Sequence, residues 1–95
     1  MSVILDYKLI DSDELEKEFD SFADAIAFMK GIGEEMFHYV DITDSEGYYI
    51  SGYPNIMMQY QYVIKLKHGK PDCMHINTCH DVDNEFYCVT CNAHN

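Results

Sequence analysis

Four cysteines and three histidines fall within the last 23 residues of the chain: Cys73, Cys79, Cys88 and Cys91, with His75, His80 and His94. Thiolate and imidazole are the donors that zinc takes up, four at a time, in a tetrahedron. Cys88-Val-Thr-Cys91 has the Cys-x-x-Cys spacing, in which the backbone curls back and turns two sulfurs towards one side of an ion. The other half of the site falls to Cys73 and Cys79, whose five-residue gap is wider than the usual knuckle. His75, His80 or His94 is the substitute if one cysteine is not a ligand. Four thiolates leave no open coordination position, so the expected zinc is a structural staple rather than a catalytic centre.

Other chemistries fit the spacing less well. A zinc deaminase needs His-x-Glu ahead of Pro-Cys-x-x-Cys, and the nearest approach, His80-Asp-Val-Asp ahead of Tyr87-Cys88-Val-Thr-Cys91, has neither the Glu nor the Pro at those positions. Only four residues follow Cys91, too few for the helix that a thioredoxin-type pair requires. A Cys79–Cys88 disulfide across a hairpin is the rival to metal, with free thiols third. No Ser/His/Asp set or glycine-rich phosphate loop stands out, and His38 reads as a structural histidine within a strand. These absences argue against an enzyme.

Charge is the second feature. Seventeen acidic residues face six basic ones, all lysine, for a formal net charge of −11. Phosphate backbones and anionic membranes both need a basic surface, so neither nucleic acid nor membrane is expected as a direct partner. A field this negative attracts a basic protein instead. Residues 1–64 hold 13 acidic and 3 basic side chains, a net of −10, so the charge is concentrated away from the cysteine tail. Asp11, Asp13, Glu14, Glu16, Glu18, Asp20 and Asp24 form the densest run, either a solvated face or a mimic of a phosphate backbone. Tyrosine brings large contact area at low entropic cost, and Tyr49 and Tyr53 are the first candidates to join that surface.

The elements that must position these groups follow from periodicity. Val3 to Ile10 alternates as a strand. The acidic stretch Asp11–Glu18 reads as a loop or a frayed helical turn. A helix runs from Phe22 to Lys30, with Ser21 as N-cap, Asp24 in the first turn, and Gly31 closing it. Met36–Ile42 and Tyr48–Tyr53 form a hairpin about the turn Asp44–Gly47, and Pro54-Asn55 breaks the return strand. Ile56–Lys67 places Met58, Tyr60, Tyr62, Ile64 and Leu66 on alternate positions and reads as a half-buried strand. His68-Gly69-Lys70-Pro71 is a turn bounding the metal segment.

These readings give a single α+β domain over residues 1–95. Residues 1–67 form a strand–helix–three-strand body, a small antiparallel sheet with one helix packed on a face. Residues 68–95 form a Cys-rich, zinc-stapled C-terminal segment. No basic leader precedes the first apolar residues, no run is long enough to span a membrane, and reduced thiols suit a cytoplasmic setting. The expected function is that of a non-enzymatic acidic binding protein. It would dock on, and inhibit, a basic partner such as a nuclease or other nucleic-acid-binding protein, as DNA mimics and small anti-defence or immunity proteins do; that analogy rests on size and charge alone. The alternative is a zinc-stapled adaptor or accessory subunit of a cellular complex. A small metalloenzyme or thiol oxidoreductase ranks last.

Overall fold

The computed structural model describes residues 2–67, 69–80 and 86–94. Of the expected 68–71 turn, His68 lies outside the described residues. The order is β1 (Val3–Leu9), β2 (Glu14–Phe19), α1 (Phe22–Ile32), a 3₁₀ turn (Glu34–Met36), β3 (Phe37–Thr43), β4 (Tyr49–Ser51), α2 (Tyr53–Val63), β5 (Thr78–His80) and β6 (Phe86–Cys88). The first four strands form an antiparallel sheet in the order β2-β1-β3-β4, and β5 and β6 form a separate hairpin.

Alternation along β1 explains the layering. Val3, Leu5 and Tyr7 are buried, as are Val40 and Ile42 opposite them on β3. This inner face packs against Phe22, Ala25, Ile26 and Met29 of α1 and Ile56 of α2. Each large apolar side chain removed from water in this way contributes about 1.5–3 kcal/mol. The expected α+β architecture is thus present: an antiparallel sheet, a helix against one face, and a C-terminal Cys/His segment. A second helix joins the first on that face.

Helix α1 begins as its sequence dictates. Ser21 is extended, with φ −142° and ψ 158°, and its hydroxyl accepts the Asp24 amide at 3.0 Å. Its end differs from expectation. Gly31 stays helical, and Gly33, at φ +97°, closes the helix by donating to the Met29 carbonyl.

Three assignments are corrected. The stretch around Glu14–Phe19 is a strand rather than a loop or helical turn, paired with β1 from Lys8↔Glu14 to Val3↔Phe19. Its inward positions are Leu15, Lys17 and Phe19. Lys17 disguises the alternation, yet its ammonium lies 4.9 Å from the Phe28 ring centroid, so the side chain covers apolar surface as an aliphatic residue would. The return strand β4 is only Tyr49–Ser51. Gly52, at φ +97°, leaves the sheet, and Pro54 opens a helix rather than merely breaking a strand.

The largest correction is Ile56–Lys67, expected as a strand, most of which belongs to α2. Ile56, Tyr60 and Val63 recur at helical spacing and pack on the core, whereas Met58 and Tyr62 are 62% and 55% exposed. The alternating apolar set was real, but a helical stripe ran through the same residues, and tertiary packing selected it. Ile56→Ala is therefore expected to cost about 2–5 kcal/mol of unfolding free energy. Met58→Ala should stay within about 0.5 kcal/mol. Chemical denaturation of the two variants checks this, since a strand reading would make Met58 an inward position.

Candidate metal centre and acidic face

The segment after α2 is anchored before it offers any ligand. The Pro71 carbonyl accepts the Phe22 amide at 2.8 Å, and the Asp72 carbonyl accepts both the amide and the hydroxyl of Ser45. Gln59 Nε2 donates to the carbonyls of Met74 and His75 at 2.8 and 3.2 Å. Asp44, only 5% exposed, accepts the amides of Glu46 and Tyr48 through Oδ1 and that of Met74 through Oδ2. Met74 is wholly buried in the main core. Its neighbours Cys73 and His75 are buried too, and both belong to the Cys/His group.

The other half of that group comes from the chain reversal after β6. The Cys88 amide donates to the Ala93 carbonyl at 2.7 Å and the Asn92 amide to the Cys88 carbonyl at 2.8 Å, with Asn92 at φ +63°. This reversal brings Cys91 back beside Cys88, as the Cys-x-x-Cys spacing implied. The ligand atoms of Cys73, His75, Cys88 and Cys91 lie within 4.8 Å of one another. Cys73 Sγ is 3.8 Å from Cys88 Sγ, and Cys91 Sγ is 3.2 Å from His75 Nδ1. None of the four cysteines is in a disulfide.

Each residue named from the sequence now has a place. Cys73, Cys88 and Cys91 come together, with His75 as the fourth member. Cys79 is exposed on β5 and lies outside the group. The hairpin register pairs Thr78 with Cys88 and Cys79 with Tyr87, so Cys79 points to the face opposite Cys88 and no Cys79–Cys88 bridge forms. His94 is exposed and outside the group; its backbone pairs with Lys67. The side chain of His80 lies outside the described residues.

Two further residues matter that spacing alone did not reveal. The Thr90 hydroxyl sits 3.0 Å from Cys88 Sγ and 3.5 Å from Cys73 Sγ. Gly69 backs the group so closely that an added Cβ would meet His75 Cε1 at 2.8 Å, Cys91 Sγ at 3.0 Å and Ala93 Cβ at 2.4 Å. Its place beside a turn proline marked it only as a loop residue.

The electrostatics are those of a site that lacks a positive charge of its own. Burial, reinforced by Cys88 and Cys91 and opposed by the Thr90 hydroxyl and the His75 amide, pushes the Cys73 thiol up to about 12. Burial acts upward on Cys88 as well. There, hydrogen bonds with Thr90 and Cys91 outweigh it and hold the thiol below its ordinary value. Burial lowers the His75 imidazole, with Asp44 pulling the other way, which favours the neutral form that binds metals. A cation at the centre would satisfy every donor, since ligation requires thiolate sulfurs and neutral imidazole. Three sulfurs and one imidazole nitrogen, converging and largely buried, fit a soft or borderline metal ion.

The acidic run is divided by the fold. Asp11, Asp13, Glu14, Glu16, Glu18, Asp20 and Asp24 are all exposed. Asp11 and Asp13 lie in the β1–β2 turn, Asp20 precedes α1, and Asp24 sits in its first turn. Glu14, Glu16 and Glu18 project from β2 onto the outer face of the sheet, where Asp6 and Asp41 join them. One row across the strands reads Glu16–Asp6–Asp41–Ser51, and its neighbours read Glu18–Ile4–Thr43–Tyr49 and Glu14–Lys8–Tyr39. Tyr49 is 59% exposed on this face. Tyr53 is half-buried on the opposite side, against Phe37. Partial burial, a hydrogen bond to Glu14, and the charges of Glu14, Asp41 and Asp6 raise the Tyr39 hydroxyl above its ordinary value. Asp6 and Asp41 escaped notice in the sequence because each stands alone between apolar neighbours.

The chain matches no protein-family model, no curated protein and no solved structure. Among the described residues, no helix is long and apolar enough to cross a membrane.

Cys88→Ser and His75→Ala are each expected to abolish uptake of about one metal ion per chain and to loosen the C-terminal segment. Cys79→Ser should leave uptake intact, while Gly69→Ala weakens it by displacing His75 and Cys91. Native mass spectrometry of the four variants reads all of these outcomes.

Proposed function

We propose that this protein is a non-enzymatic acidic binding protein whose outer sheet face docks on a basic, nucleic-acid-binding partner and blocks it. The observation that carries this reading is the row Glu16–Asp6–Asp41, three carboxylates directly abreast on adjacent strands. Like charges placed opposite each other destabilise a sheet, by up to about 1 kcal/mol per pair relative to neutral residues. Their neighbours add Glu14 and Glu18, and Lys8 is the sole cation among the outward-facing paired positions. A cationic groove shaped for phosphates would relieve that repulsion, and the field would speed its encounter with the face. Tyr39 and Tyr49 supply aromatic contact area on the same side.

In this reading the Cys/His group holds a structural zinc. Tetrahedral bonds of about 2.3 Å place two zinc-bound sulfurs about 3.8 Å apart, the separation of Cys73 and Cys88. Elemental analysis of protein purified without chelators is expected to return about one zinc per chain. A different metal in that role, or none, overturns the zinc assignment.

The docking face predicts opposite effects on stability and binding. Glu16→Lys converts a like-charged cross-strand pair into an opposite one, so it should stabilise the fold by about 0.2–1 kcal/mol. The triple reversal of Glu14, Glu16 and Glu18 to Lys should abolish capture of basic proteins from lysate. Wild-type capture should fall with moderate salt and on addition of competing duplex DNA. Capture indifferent to both the reversal and the competitor overturns the reading. The second reading, a zinc-stapled adaptor, is favoured by the exposed side chains of Met58, Tyr62 and Phe86. It would give a salt-resistant complex lost on Tyr62→Ala instead.

A further inference from the structure

A groove of about 290 Å³ opens where β3 runs past the end of β4, lined in part by Glu34, Phe37, His38, Tyr39, Tyr53 and Pro54. Its origin is topological. β4 pairs with β3 only from Asp41 to Thr43. The Gly52 amide then donates to the Val40 carbonyl at 2.8 Å, and at φ +97° the chain turns out of the sheet into α2. The stretch Phe37–Tyr39 is left without a strand beside it on that edge. The register against β1 also shifts here, from Lys8↔Tyr39 to Leu9↔Phe37, so His38 is an extra residue and β3 bends. Bulges of this kind re-aim side chains and recur beside binding sites.

The lining has two characters. Phe37, Tyr39, Tyr53 and Pro54 offer rings and apolar surface. Glu34 offers a carboxylate, and Glu35 beside it adds to the local negative field. Burial, then the charges of Glu34 and Glu35, raise the Tyr53 hydroxyl, and the outer-face carboxylates act likewise on Tyr39. Both tyrosines of the groove therefore stand in negative potential from different directions. Tyr39 also belongs to the acidic outer face, so groove and face form one continuous surface.

We propose that this groove accepts an arginine side chain of the basic partner, its guanidinium against the tyrosines and the Glu34 carboxylate and its alkyl stem along Phe37 and Pro54. The inference rests on the docking reading above and names its anchor. A planar guanidinium stacks on aromatic rings while donating two parallel hydrogen bonds to a carboxylate; a lysine ammonium is a hydrated point charge that offers neither. A flat acidic face attracts cations without choosing among them, and a ring-walled notch at its border adds that choice.

The test is a titration of isotope-labelled protein with N-acetyl-arginine amide, N-acetyl-lysine amide and N-acetyl-citrulline amide, the last replacing the guanidinium by a neutral urea. The arginine derivative is expected to shift the amides of His38, Tyr39, Gly52 and Tyr53 saturably, more tightly than the lysine derivative, while citrulline leaves them in place. Glu34→Gln, an exposed substitution that does not touch the core, should weaken the arginine derivative about fivefold. Equal binding of citrulline, lysine binding as tight as arginine, or shifts spread over Glu14–Glu18 and indifferent to Glu34→Gln would overturn the proposal. Failure of the groove alongside partner capture that remains sensitive to the triple reversal overturns the groove alone. Arginine binding alongside capture that ignores the reversal overturns the docking face alone.

Discussion

The two oxygens of Asp44 take amide protons from segments that are far apart in the chain. Oδ1 holds the β3–β4 turn through Glu46 and Tyr48, and Oδ2 holds Met74, 30 residues on. A buried carboxylate is tolerated only when its hydrogen-bonding capacity is filled, and here backbone donors fill it. Leaving any of those amides buried without a partner would cost about 1–3 kcal/mol. The sheet and the Cys/His segment therefore share one polar junction. Ser45 and Gln59 extend it with four more hydrogen bonds to the same segment. The placement of Cys73 and His75 depends on this junction, because both flank the residue it fixes.

The outer face of the sheet obeys a different constraint. Its inner side secures the fold by burying Val3, Leu5, Tyr7, Val40 and Ile42, which leaves the outward positions free of any packing role. Sheets exposed on one side usually mix charges there. This one repeats a single sign across three strands, with Lys8 at one end of the array. A fold optimised for stability alone would intersperse lysine among these positions, as opposite charges in register help each other. That departure is of the kind that accompanies binding surfaces.

Much of this was legible in the sequence, for physical reasons that can be named. Helix α1 announced itself through Ser21, the stripe Phe22–Ile26–Met29, and a closing glycine misplaced by two residues. The turn at Asp44–Gly47 and the Cys-x-x-Cys reversal are local, so local spacing revealed them. The misreadings involve residues serving two periodicities at once. In β2, Leu15, Glu16, Lys17 and Glu18 suit a helix intrinsically, and only pairing with β1 makes them a strand. In α2, alternate apolar residues concealed the spacing of Ile56, Tyr60 and Val63. The Cys/His group could be located but not composed from sequence. The exclusion of Cys79 follows from hairpin register, and the inclusion of His75 from a positive φ of 52° after Met74. Neither is encoded in spacing.

The alternation Cys73–Met74–His75 has a consequence for how the molecule comes apart. Two of the three side chains belong to the Cys/His group, and the one between them is a wholly buried plug of the main core. Releasing the pair frees the plug as well, and withdrawing the plug pulls on the pair. The body and the tail are thus geared together and should melt in one cooperative transition rather than two. With a metal ion held by the Cys/His group, a chelator acting only on that far end would then loosen the sheet, and the acidic surface on its other side would lose its shape with it.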